Sequence, residues 1–135
     1  MTKQGPRRIA SDGEWSGRLT QAREFHESAR SLVTLGDSKS YNGAVTLMVV
    51  AAIGYADAIT AKLKGLVNKE DHQGAPRLLR EALGNSLPDK HERFFRRLLG
   101  RKDEVNYGAR STTHEDAARL LVELDEFAIW AEGAF

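Results

Sequence analysis

This sequence predicts an all-α fold, an antiparallel bundle of four to five helices, and three observations predict it. Apolar residues return at three- and four-residue steps along most of the chain, which is the spacing of one helix face. One long stretch is apolar almost all round, as a helix at the centre of a bundle is. No run alternates apolar and polar residues in the manner of a half-buried strand.

Each element can be justified in turn. "SDGE" offers Ser11 and Glu14 at capping-box spacing. Trp15, Leu19, Ala22, Ala29 and Leu32 then mark one stripe, with Phe25 alongside, and predict a first helix over residues 13–35. "GDSKSYNG" breaks it. The second helix is expected over residues 41–64, the most buried element, with Gly65 as its C-cap. Asp71 is a fair N-cap for a short third helix over residues 72–83, with Pro76 in the first turn, where proline does least harm. "GNSLP" is the next break, and Pro88 fits the first position of a fourth helix. Phe94, Phe95, Leu98 and Leu99 face its core, and Val105 and Tyr107 continue the stripe. Thr112 and Glu115 form a second capping box. Ala117, Leu120, Leu121, Leu124, Phe127, Ala128 and Ala131 then mark the last helix. Residues 1–10 read as a flexible tail and residues 11–135 as a single domain.

Composition narrows the function classes. A net charge of +1 gives no bulk electrostatic case for nucleic acid, so any such case must come from local clustering. The absence of cysteine excludes a disulfide scaffold, thiolate zinc sites and a cysteine nucleophile, and fits a reducing, cytoplasmic setting. The polar start, "MTKQGPRRIASDG", gives no expectation of a secretory leader. "AVTLMVVAAIGYADAITA" reaches only the low end of membrane-spanning length, roughly 17–25 residues, and carries Asp57. A buried central helix is the better reading, with no membrane partner.

Signals for chemistry are few. His26, His72, His91 and His114 include no pair at four-residue spacing and no H-E-x-x-H frame. They are expected at the surface, with no metal bound. No phosphate loop or serine elbow is present, and no cofactor is expected. Asp57 is a carboxylate in the most apolar helix, and burying one is costly without a partner. Either it sits on a narrow polar edge and meets water, or it has a cationic partner; by composition the best placed are Arg101 and Lys102. Arg93, Arg96 and Arg97 share a helix face. Such a face can bind phosphates, but on a nearly neutral chain a solvated face is the simpler expectation.

From "WSGRLTQAREFHESARSL" to its end the chain resembles the HEPN superfamily of small helical bundles. Three stretches carry the likeness in order: "GAVTLMVVAAIGYADAITAKLKG", "DHQGAPRLLREAL" and "LLGRKDEVNYGARSTTHEDAARLLVELDEFAIWAE". In the ribonuclease branches of that superfamily an arginine is followed, after four to six intervening residues, by a histidine, and two such motifs meet at a dimer interface to cut RNA without metal. Arg101 stands where that arginine belongs. Asn106, Tyr107 and Gly108 fill the places where the histidine is allowed. Arg110 and His114 are separated by one residue too few.

Metal-free cleavage needs groups that give and take protons near neutral pH, which histidine does. Asparagine cannot titrate, and tyrosine, with a pKa of about 10, is a poor base. The resemblance therefore implies a non-catalytic, HEPN-like homodimeric module for RNA, a nucleotide or a protein partner. Arg101, Lys102, Asn106, Tyr107 and Asp57 are its expected binding residues. A divergent, toxin-like ribonuclease using Arg101 with Tyr107 or His114 is the alternative. A structural bundle whose polar residues serve only folding is the second.

Overall fold

The computed structural model describes residues 6–69, 72–107 and 110–135, and of Asn106 and Tyr107 the backbone alone. The first apolar stripe folds as α1, Glu14–Leu35. Its inward positions are Leu19, Ala22, His26, Ala29 and Val33. Counting His26 as a member keeps the steps at three and four, so the next inward place is Val33. Leu32, expected on the stripe, is rotated to the flank and exposed. The Ser11–Glu14 box is half realised: the Glu14 carboxylate accepts from the Ser11 N–H at 3.0 Å, while Gly13 directly precedes the helix.

The apolar stretch folds as α2, Asn42–Lys64. It is long and apolar enough to cross a membrane, but 72% of its most apolar window is buried by the protein itself. It packs against every other α-helix, and Met48, Ile59, Phe95, Leu98, Leu124 and Phe127 are among the largest fully buried side chains around it. Gly65 caps it with φ 65°, donating its N–H to Ala61 O at 3.0 Å. That left-handed conformation strains any residue with a Cβ. Gly54 has a different reason to be glycine. A Cβ there would lie 2.9 Å from Ala22 Cβ, so its absence lets α1 and α2 approach closely.

Arg7–Ile9 form β1, paired antiparallel with β2, Leu66–Asn68, in the register Arg8 opposite Val67. The expected loose tail is thus partly a strand. Three residues a side are too few to show alternation in sequence, and the partner segment lies some sixty positions away.

A 3₁₀ turn, His72–Gly74, leads into α3, Ala75–Leu83, with Pro76 in its first turn as expected. The Asp71 cap falls outside the described residues. After a second 3₁₀ turn, Gly84–Ser86, comes α4, Asp89–Tyr107. Pro88 lies one residue ahead of it, its carbonyl accepting from His91 N–H at 3.0 Å.

The last helix, α5, spans His114–Glu132. Its N-cap is Thr113, which accepts from Asp116 N–H at 3.1 Å, one residue later than the expected box. Thr112 is instead buried and donates its hydroxyl to Asn42 Oδ1 at 2.6 Å, tying the loop to the start of α2. The α1–α5 contacts fix their directions: Arg23 meets Glu132 at one end and Val33 meets His114 at the other, so the two helices run opposite ways.

Candidate functional site

Arg101 lies near the end of α4, where the helix approaches the start of α5. Its Nη2 donates to Asp116 Oδ2 at 2.6 Å. Its Nε sits 3.1 Å from Glu104 Oε2, but the angle is wrong for a hydrogen bond, so this buried N–H stays unused. Together with Arg110, Ser111, Thr113, Glu115 and Arg119 these groups line a cleft of about 500 Å³.

Charge in the cleft is nearly balanced. Arg119 pairs with Glu115 at 3.2 Å, and Arg101 with Glu104 and Asp116. Arg110 is exposed and has no ion-pair partner among the described residues. Its backbone is held, since its carbonyl accepts from Asn42 Nδ2 at 3.3 Å. Thr113 and Ser111 add hydroxyl donors suited to phosphate or carboxylate oxygen. Glu115 and Asp116 occupy the first turn of α5 and offset the positive end of its dipole.

The other expected site residues are dispersed. His114 donates Nε2–H to Val33 O at 2.9 Å and packs edge-on against Tyr41, with ring centroids 5.2 Å apart. It is not among the residues lining the cleft. Lys102 turns away from Arg101, since successive residues on a helix point about 100° apart. Its Nζ donates to His72 Nδ1 at 3.3 Å. The side chains of Asn106 and Tyr107 lie outside the described residues, as does Gly108. Along the outer face of α4, Arg93, Arg96 and Arg97 are exposed; Arg96 is paired with Glu92 at 2.9 Å, and Arg97 with Glu123.

Asp57 corrects an expectation. Its partner is neither Arg101 nor Lys102 but Arg18 of α1, at 3.0 Å. Asp57 faces the α1 flank of α2, which α4 does not reach. Arg18 Nε in turn contacts Glu14 at 2.6 Å, and Glu14 accepts from Arg8 Nη1 at 2.8 Å, so a chain of alternating charge runs from β1 to the core helix. Burial pushes the Asp57 carboxyl up to about 7; Arg18 opposes that shift and Glu14 reinforces it. The Arg8 and Arg18 bonds outweigh the smaller burial of Glu14 and hold it far below the usual carboxylate range.

Two histidines expected at the surface are buried. His91 stacks on Trp130 at 5.2 Å and meets Phe127 edge-on, and burial lowers its pKa. His26 lies within a four-residue network: Nε2–H donates to Asp125 Oδ1 at 2.7 Å, which leaves Nδ1 to accept from the Tyr55 hydroxyl at 3.0 Å. Arg30 completes it, donating to Asp125 at 2.6 Å. The place of His26 on the α1 stripe was the signal in sequence. Each polar atom of the His26 and Tyr55 side chains has a protein partner, so the network latches α1, α2 and α5 together rather than presenting free groups to a ligand. Among the described residues no group of three or more His, Asp or Glu is placed to hold a metal ion. No protein-family model and no curated protein matches the chain.

Proposed function

We propose that this protein is a non-catalytic, HEPN-like homodimeric binding module, and that the cleft between α4 and α5 takes a phosphate of RNA or of a nucleotide. The observation that carries the reading is the set of arginines around the cleft: Arg110 without an ion-pair partner among the described residues, Arg101 on its wall and Arg119 at the rim. An incoming phosphate would compete with Asp116 and Glu115 for Arg101 and Arg119, so modest affinity with a salt-dependent tail is expected.

The engagement of His114 with Val33 disfavours a ribonuclease working through Arg101 and His114, because no described histidine lines the cleft. A structural bundle without a ligand is the second reading. It is favoured by the pairing of Arg101 with Asp116 and of Asp57 with Arg18 within one chain.

Fluorescence anisotropy with a short single-stranded RNA, and calorimetry with AMP, at two salt concentrations separate the readings. Binding that weakens at high salt and drops several-fold in Arg110→Ala supports the module. No binding of either probe at low salt leaves the structural bundle. RNA turnover that disappears in Arg101→Ala establishes the ribonuclease.

A further inference from the structure

Residues 110–113 precede α5 without regular structure, and three of them, Arg110, Ser111 and Thr113, line the α4–α5 cleft. A ligand that must order such a segment loses affinity in doing so. Here the fold supplies the order. The Arg110 carbonyl accepts from Asn42 Nδ2 at 3.3 Å. Thr112 donates its backbone N–H, at 3.0 Å, and its hydroxyl, at 2.6 Å, to Asn42 Oδ1. The Thr112 carbonyl accepts from Tyr41 N–H at 3.1 Å, and His114 is anchored to Val33 O at 2.9 Å.

Three of these five bonds end on one side chain, Asn42, the first residue of α2. Its partners dictate how its amide is turned. A peptide N–H can only donate and a carbonyl can only accept, so Oδ1 faces Thr112 and Nδ2 faces Arg110. Aspartate, of the same size, offers acceptors alone, and alanine offers neither. Asn42 is half-buried and is not among the residues lining the cleft. Arg110 is therefore held at its backbone, while its exposed guanidinium has no ion-pair partner among the described residues.

We infer that Asn42 is a positioning residue of the anion site: it holds the Arg110 backbone so that the guanidinium meets a phosphate in the α4–α5 cleft. The inference rests on the proposed reading of that cleft and adds to it a residue from a third helix.

Calorimetry with AMP tests it on wild type, Asn42→Asp, Asn42→Ala, Arg110→Ala and the double variant Asn42→Asp with Arg110→Ala. Aspartate keeps the acceptor for Thr112 but turns a second oxygen toward the Arg110 carbonyl, which pushes that residue away. Its charge also suits the first turn of α2, which carries no acid. Asn42→Asp is therefore expected to melt no lower than wild type while binding AMP about three- to tenfold more weakly, the span that one net hydrogen bond commands. A residue serving folding alone would not separate the two. Asn42→Ala, which adds no charge, is expected to weaken binding as well. In the Arg110→Ala background Asn42→Asp is expected to change the remaining affinity little, because the arginine it positions is gone. Equal weakening in both backgrounds would mean that the new charge merely repels the phosphate, and overturns the inference. Asn42 variants that bind AMP as wild type does overturn it too, and leave the cleft as the anion site. A wild type that does not bind AMP overturns the reading of the cleft itself and the positioning role with it.

Discussion

The Asp57 carboxylate lies 3.0 Å from the Arg18 guanidinium, and this pair joins the core helix to its neighbour. Asp57 is 7% exposed and Arg18 30%, so the pair straddles the protein surface. Removing Arg18 leaves a carboxylate in an apolar wall with no cation beside it. Breaking a buried pair typically costs about 3–5 kcal/mol. The partial exposure of Arg18 reduces this to roughly 2 kcal/mol for Arg18→Met. Urea unfolding should report it as a lower midpoint with an unchanged slope, and Asp57→Leu added to Arg18→Met should recover most of the loss.

The same carboxyl sets a pH dependence. Burial holds its folded pKa near 7, above the value of about 3.9 expected in the unfolded chain. Between these values the folded chain keeps a proton that the unfolded chain has released. Stability therefore falls as pH rises from about 4 to about 7, then levels, by up to ~1.4 kcal/mol per pH unit. His91, buried and lowered, acts in the opposite sense near its own ordinary pKa. The difference between wild type and Asp57→Asn isolates the aspartate. A difference that stays flat from pH 4 to 7 would refute the assignment.

Gly54→Ala sets two effects against each other. Alanine improves helix propensity by about 1 kcal/mol. Its Cβ, however, would sit 2.9 Å from Ala22 Cβ and 3.3 Å from Ala22 Cα, and α1 cannot move aside without loosening its whole contact with α2. Overpacking of this kind costs about 1–3 kcal/mol. Net destabilisation is expected, with Ala22→Gly in the same chain restoring the fit; thermal melting of the three variants checks it.

His26→Leu should destabilise more than Tyr55→Phe. Tyr55→Phe removes one hydrogen bond, worth about 1 kcal/mol. His26→Leu leaves the buried Tyr55 hydroxyl without its acceptor and Asp125 without one of its donors, a loss of roughly 2–4 kcal/mol. Equal effects in chemical denaturation would show that the two bonds do not act as a network.

Thr113→Ala should cost about 1 kcal/mol, because it removes the cap on Asp116 N–H, whereas Thr112→Ser, which keeps the hydroxyl bonded to Asn42, should cost less. Guanidinium titrations of both variants distinguish them, since a cap at Thr112 would reverse the order.

Local patterns in the chain were enough for the helical class, the order of the helices and most of the core. Phe94, Phe95, Leu98 and Leu99 on α4, and the seven expected positions on α5, are all buried. Helix periodicity is a property of neighbours three and four residues apart, and sequence displays it directly. The errors lie where a residue's role depends on something distant. Thr112 and Thr113 are equally good caps by chemistry, and the contact with Asn42 decided between them. Residues 7–9 became a strand because residues 66–68 offered an edge.

The candidate site divides the same way. Sequence alone determined that Arg101 stands in a charged helix end without a following histidine, and that Asp57 is a carboxylate among apolar neighbours. Tertiary structure decided which cation each carboxylate meets: Arg18 for Asp57, Arg101 for Asp116. It also decided that His114 turns to Val33 and that His26 lies inside a polar latch. Periodicity tells which side of a helix faces inward, but ion pairs and buried hydrogen bonds are set by which helices lie side by side. That is a matter of how the apolar faces fit against one another across the fold.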